Sequence, residues 1–178
     1  MSNATLTIPT QPGEGVEIDH SDSSGDDFDA LSRDLVPVRS MTADDLDAIV
    51  AIDRHVTGRN RRPFYERKLA ESLEQAGVRV SLVAEIDGMA AGYLMARVDY
   101  GEFGQTEPEA EIDSIGVDPA YAHKHVGTAL MSQLMANLSA LQVERVRTEV
   151  VWDHYALNGF LSKCGFKPAQ RLVLRRTI

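Results

Sequence analysis

The chain has one cysteine, Cys164, among 178 residues. A lone thiol excludes an internal disulfide framework and any multi-thiolate metal site. Its five histidines show no metal-ligand spacing, so no metal is expected. No apolar run approaches the ~18–20 residues of a membrane span, and no membrane partner is expected. The N-terminal residues carry neither the basic start nor the apolar core of a secretory signal. A cytoplasmic protein is therefore expected. Positive charge is in deficit, with 18 Lys+Arg against 27 Asp+Glu and a formal charge of −9. That argues against nucleic acid as a partner, because a binder needs a basic footprint to displace counterions. No G-x-x-x-x-G-K-[ST] occurs, which removes the usual nucleoside-triphosphate enzyme. No internal repeat is visible. What the chain does have is 43% hydrophobic content, enough for a core, and a length suited to one domain.

The negative charge is unevenly placed. Residues 1–34 hold eight acids and one base, Arg33, together with Pro9, Pro12, Gly13, Gly15 and the run Ser21-Asp22-Ser23-Ser24-Gly25-Asp26-Asp27. Such a segment buries too little apolar surface to offset its ordering entropy. Residues 1–34 are expected to be a disordered acidic tail, with a partner-binding arm as the alternative. The folded domain is expected over 35–178.

Hydrophobic period assigns the elements. Residues 35–39 read as an edge strand because of Pro37. Thr42 and Asp45 form a capping-box-like start, followed by Leu46, Ile49, Val50 and Val56 at helical spacing. A second helix is expected from about Phe64 to Ala76, with Leu69 and Leu73 inward and Gly77 as its stop. Strands follow at 78–86 and 89–98, joined by the hairpin signal Asp87-Gly88. Another strand covers 111–117. Val126, Leu130, Leu134, Leu138 and Leu141 make the apolar stripe of a long helix. A strand over 143–152, a helix over 155–163 stopped by Gly165, and a strand over 171–176 close the chain. The order β-α-α-β-β-β-α-β-α-β gives a mixed sheet with helices on its faces, an α/β (α+β) fold. Trp152 and Cys164 are expected in the core.

The segment Ile112-Asp113-Ser114-Ile115-Gly116-Val117-Asp118-Pro119-Ala120-Tyr121-Ala122-His123-Lys124-His125-Val126-Gly127-Thr128 runs from a strand through a loop into the long helix. The first helical turn leaves backbone N–H groups without intrahelical partners, and the helix dipole adds to them. An anion is favoured there. Gly127 allows close backbone approach, and Lys124, His123 and His125 bring positive charge. A pyrophosphate fits this reading; the alternative is a helix start that binds nothing.

Over about residues 35–178 this arrangement resembles the GNAT acetyltransferase superfamily. The resemblance is carried by Ile115-Gly116-Val117-Asp118-Pro119-Ala120-Tyr121, by the loop and helix that follow, and by Gly165-Phe166. On the family's loop pattern Q/R-x-x-G-x-G/A, Gly127 matches the last position. Ala122 stands in place of Gln/Arg, and His125 in place of the first glycine. The resemblance implies a mixed, mostly antiparallel sheet with helices on both faces, and acetyl-CoA as cosubstrate lying across it. The pantetheine would pair with the backbone of Ile115, Gly116 and Val117. The pyrophosphate would meet the amides of His123, Lys124, His125, Val126, Gly127 and Thr128. His154 falls near the position of a cofactor-touching asparagine. The thioester would sit in a gap between strands 111–117 and 143–152, opened by a bulge for which Gly116 is the candidate. Homodimers are common in the superfamily.

Acyl transfer to an amine requires that the ammonium lose a proton and that the leaving thiolate be stabilised. By strand alternation Glu111, Asp113, Ile115 and Val117 share one face. Some family members carry a glutamate base at the position of Glu111, and Asp113 lies nearer the thioester end. Both are base candidates; the alternative for each is an exposed strand acid or an arginine's partner. The family's general-acid tyrosine falls on Leu161, which leaves Tyr155 as a substitute or as a packed aromatic with a wet hydroxyl. A CoA thiolate, with a thiol pKa near ~8.5, needs little acid assistance. Arg59, Arg61, Arg62, Arg67 and Lys68 would border the acceptor site or the nucleotide phosphates, or form a solvated face. The expected activity is acetyl transfer to a primary amine by direct attack, the acceptor being a protein α-amine, a lysine or a small amine. The rival is a catalytically silent acyl-CoA-binding module.

Overall fold

The computed structural model describes residues 33, 35–74, 80–100, 107–169 and 176. Apart from Arg33 and Arg176, the acidic segment before Leu35 and the strand expected at 171–176 lie outside the described residues. So does Gly77, the stop expected for the second helix.

In chain order the elements are β1 (Val38–Ser40), a 3-10 turn (Ala43–Asp45), α1 (Leu46–Thr57), α2 (Arg62–Glu74), β2 (Leu82–Ile86), β3 (Met89–Asp99), β4 (Glu109–Val117), a 3-10 turn (Pro119–Tyr121), α3 (Val126–Ala140), β5 (Arg145–Thr148) and α4 (Tyr155–Lys163). The sheet order is β1-β2-β3-β4-β5. All neighbours pair antiparallel except β4 and β5, which run parallel. This is the mixed, mostly antiparallel α/β sheet expected. Its two faces bury separate clusters. On one face Val126, Leu130, Leu134 and Leu138 of α3 pack on Leu82, Leu94 and Ile112. On the other, Ile49, Val50 and Ile52 of α1 and Tyr65 and Leu69 of α2 pack on Val83, Tyr93 and Met95.

Local chemistry sets the element ends. The Thr42 amide donates to Asp45 Oδ2 at 2.7 Å, the capping box read from the sequence with Asp in the role of Glu. Gly58, at φ 70°, ends α1 in the left-handed conformation. Asp87 and Gly88 both take positive φ, 53° and 75°, as a two-residue hairpin with right-handed strand twist requires.

Three expectations need correcting. Val56 is 46% exposed; it sits in the last turn of α1, beyond the residues that pack on the sheet, while Asp53 turns inward one turn earlier. Trp152 is 85% exposed rather than in the core, because β5 ends at Thr148 and Trp152 falls in the turn beyond it. The third concerns β4. Ala96 pairs with Ile112 and Met95 with Ser114, so β4 carries one extra residue, Asp113, opposite β3. The bulge is therefore at Asp113 and not at Gly116. It shifts the alternation by one. Ile115 and Val117 join Ile112 against the α3 cluster, so they do not share the face of Glu111 and Asp113.

Candidate active site

The bulge has a direct consequence. Ile112 and Ile115 pack into the same cluster, so the two residues between them, Asp113 and Ser114, both face the α2 side. Their contacts agree. Asp113 Oδ2 is 3.4 Å from Lys68 Nζ of α2, and Ser114 Oγ is 3.2 Å from the Tyr65 hydroxyl of α2. A strand bulge thus sets a carboxylate beside a hydroxyl on one face of the sheet.

At the same point the sheet divides. The β4–β5 register runs from Glu109 opposite Arg145 to Ile112 opposite Thr148 and stops there among the described residues. Thr148 Oγ1 closes the last rung by donating to the Ile112 carbonyl at 3.0 Å. From Asp113 to Val117 the described pairing of β4 is to β3 alone. The backbone on the β5 side of this stretch is the edge expected to meet a pantetheine arm. A cleft of about 310 Å³ lies on the α2 side of the bulge, lined by Lys68, Glu71, Ser81, Met95, Arg97 and Asp113 among others. A larger hollow of about 500 Å³ sits at the far end of α3, beside Met135, Gln142 and Arg145. Its lining includes none of residues 113–117 or 123–128.

Past β4 the chain turns sharply. Asp118 accepts from the Ala120 amide at 2.9 Å, and its Oδ2 lies 2.8 Å from His55 Nδ1 on α1. Its carboxyl is held below the usual range by the Ala120 amide first and by His55 second. His123 and His125 follow with φ of 62° and 59°. The first bond of α3 runs from the Ala129 amide to the His125 carbonyl at 2.9 Å. The amides of Val126, Gly127 and Thr128 thus occupy the helix's first turn, where no intrahelical acceptor exists. Lys124 Nζ stands 5.2 Å above the Tyr121 ring. A Cβ built on Gly127 would lie 3.3 Å from the Phe160 ring, so this glycine lets α3 and α4 approach closely.

The candidate acids are both partnered. Glu111 Oε2 accepts from Arg97 at 2.6 Å and from Arg147 at 2.7 Å. Asp113 Oδ1 accepts from Arg97 at 2.5 Å. Tyr155 opens α4 and is 78% exposed. His154 is the N-cap of α4, its Nδ1 accepting from the Leu157 amide at 3.3 Å. Leu161 is buried against the α3 cluster. Four of the five basic residues around the α1–α2 junction are matched by acids: Arg61 with Asp53, Arg62 with Asp47 and Glu66, Arg67 and Lys68 with Glu71.

Sequence reasoning missed a polar cluster behind Ser114. Asp53, 2% exposed, accepts from Arg61 Nε at 3.0 Å and from Arg61 Nη2. It also accepts from the Tyr65 hydroxyl at 3.0 Å. The Tyr65 and Tyr93 hydroxyls are 2.6 Å apart, and Ser114 Oγ is 3.3 Å from Tyr93 Oη. Burial raises both tyrosine pKa values, that of Tyr93 further. One signal was available: Asp53 lies four residues after Ile49, on the apolar stripe of α1, and a carboxylate there must find partners.

Comparison with known proteins supplies the chemical context. The family model described as "Acetyltransferase (GNAT) family" matches residues 46–166. An N-alpha-acetyltransferase of Saccharolobus solfataricus is 26% identical over 141 residues, covering 76% of this chain and 82% of that protein. An N-alpha-acetyltransferase of Sulfurisphaera tokodaii matches with the same identity and coverage. Among solved structures, an aminoglycoside N-acetyltransferase in complex with CoA superposes with a TM-score of 0.66 at 17% identity, over 80% of this chain and 94% of that one. Glucosamine-6-phosphate N-acetyltransferase from Arabidopsis thaliana gives 0.62 at 16%, over 79% and 97%. At these identities the structural matches establish a shared fold.

Proposed function

The chain belongs to the GNAT acetyltransferase family, and from that premise we propose that it moves an acetyl group from acetyl-CoA to the α-amine of a polypeptide. The observation that carries the proposal is the end of β4–β5 pairing at Ile112, one element away from the first-turn amides of α3. The pantetheine arm lies along Ile115–Val117, and the pyrophosphate meets the amides of Val126, Gly127 and Thr128. Lys124 and the neighbouring histidines lie around the same anion. The thioester then faces the bulge, where Asp113 stands. The acceptor ammonium gives its first proton to Asp113, directly or through water. The amine nitrogen bonds to the thioester carbon, and the C–S bond breaks with its electrons on sulfur. The second nitrogen proton goes to the thiolate. The α-amine is favoured over a small amine because the sequence relatives at 26% identity are N-alpha-acetyltransferases, whereas the aminoglycoside enzymes share the fold at 16–19%.

A second reading, a silent acyl-CoA-binding module, is favoured by one observation: the position of the family's tyrosine holds a buried leucine, Leu161. Thiol release from acetyl-CoA separates the readings, using decapeptides that begin with Ser, Ala or Met and carry a free α-amine. Release with any of them supports the transferase. Calorimetric acetyl-CoA binding without release from peptides, lysine side chains or small amines supports the module.

A further inference from the structure

The hydroxyl cluster behind the bulge has a fixed direction. Asp53 is paired with Arg61 Nε and Nη2, so it is a carboxylate and only accepts. Tyr65 has one hydroxyl hydrogen, and at 3.0 Å it is committed to Asp53 Oδ1. Tyr65 Oη must then accept from its other neighbours. Tyr93 therefore donates to Tyr65 across 2.6 Å, which uses the only hydrogen of Tyr93. Ser114 Oγ lies 3.2 Å from Tyr65 Oη and 3.3 Å from Tyr93 Oη. Neither tyrosine has a hydrogen left for it. The Ser114 hydrogen points inward, toward one of the two phenols, and only lone pairs remain on the side away from them. Each hydrogen along the chain is oriented by the buried charge of Asp53. Ser114 is half-buried, is the first residue past the bulge, and shares a face with Asp113.

We propose that Ser114 is an acceptor-only oxygen that holds the N–H of the incoming amine beside Asp113, with Tyr65, Tyr93 and Asp53 as positioning residues that keep its hydrogen turned away. The inference rests on the amine-acetylation reading and extends it to a residue with its own role. The amine needs its lone pair aimed at the thioester carbon. A hydrogen bond from one remaining N–H to Ser114 Oγ fixes that direction once Asp113 has taken the ammonium's first proton; the proton lost on attack goes to the thiolate. Ser114 gains and loses no proton. A hydroxyl free to rotate would instead donate to the amine lone pair and block attack. Two changes therefore produce one defect: deleting the Ser114 oxygen, or removing the Tyr65 hydroxyl that transmits the orientation.

The test is a double-mutant cycle with Ser114→Ala, Tyr65→Phe and the pair, in the full chain. It reads kcat and KM by thiol release from acetyl-CoA with the same free α-amine decapeptides. Each single variant is expected to lose roughly 10–100-fold in kcat, as misaligned attack does. The double variant should lose no more than the worse single, since both break one chain. The peptide KM, the acetyl-CoA affinity by calorimetry and the shape of the pH profile should stay as in the parent protein. Full turnover in a folded Ser114→Ala variant overturns the inference alone. Losses that add in the double variant, or that track a loss of acetyl-CoA affinity, do the same. Should Tyr65→Phe not fold, Ser114→Ala with its KM, affinity and pH profile still decides. A parent protein that releases no thiol with any peptide overturns the functional reading, and this inference with it.

Discussion

The ring of Tyr93 occupies the space that a side chain at Gly116 would take: a Cβ built there would come within 2.6 Å of Tyr93 Cε1. The glycine of β4 thus serves close packing rather than a bulge. It lets the Tyr93 hydroxyl reach Tyr65 and Ser114 across the sheet face. Gly116→Ala is expected to destabilise the fold by about 1–3 kcal/mol, the usual cost of overpacking. Thermal melting checks this, and an unchanged midpoint would contradict it.

The two strand acids should separate by role. Both accept from Arg97, and Arg147 adds to Glu111 as Lys68 does to Asp113; Asp113 stands at the bulge where the sheet divides, whereas Glu111 lies two residues before it. Asp113→Asn should lower kcat by about 10²-fold at neutral pH with acetyl-CoA affinity intact. Glu111→Gln should mainly cost stability, about 1 kcal/mol for its partly exposed ion pairs. Thiol-release kinetics from pH 6 to about pH 9 and melting of both variants test the assignment. A kcat loss in Glu111→Gln equal to that of Asp113→Asn would move the base to Glu111.

His125 takes φ 59° as the N-cap of α3, a conformation costing a non-glycine residue about 1–2 kcal/mol. It occupies the first-glycine position of the loop pattern. His125→Gly should relieve that backbone cost while losing the imidazole's own interaction, and should leave the acetyl-CoA dissociation constant equal or lower. A weaker cofactor affinity would show that the imidazole itself holds the ligand.

Acid should loosen the domain at two named places. The folded pKa of Asp45 is lowered chiefly by Arg39, and that of Asp118 chiefly by the Ala120 amide. A depressed carboxylate contributes its stability above the unfolded value, near pH ~4. The contribution disappears as pH falls through the folded value. Melting midpoints should therefore hold steady above about pH 5 and drop below about pH 4. Asp45→Asn should flatten part of that drop. An identical acid profile in the variant would contradict the assignment.

Elements with a strong period were legible in the sequence. The α3 stripe from Val126 to Leu138, the Asp87-Gly88 turn and α4 lie where the pattern put them, since local chemistry alone dictates them. The bulge was not legible. Alternation over 111–117 assumes one residue per rung, and only pairing with β3 shows that Asp113 is extra. That single residue decides which side chains share a face, so Ile115 and Val117 were placed with the acids in error. The cluster of Asp53, Tyr65, Tyr93 and Ser114 was invisible for a related reason. Its members come from four elements and meet only when both helices dock on the sheet. Trp152 shows the converse: a large apolar residue at the end of the strand expected over 143–152 reads as core until the strand is seen to end at Thr148.

The central claim is that the edge of β4 beyond Ile112, without a β5 partner among the described residues, and the first turn of α3 form one binding surface for acetyl-CoA. Amide chemical shifts of the 15N-labelled chain, followed during titration with acetyl-CoA, test it most directly. The account predicts that the largest changes fall on residues 113–117 and 123–128. Saturable binding that leaves those amides unmoved, with shifts elsewhere on the sheet or at the far end of α3, would contradict it.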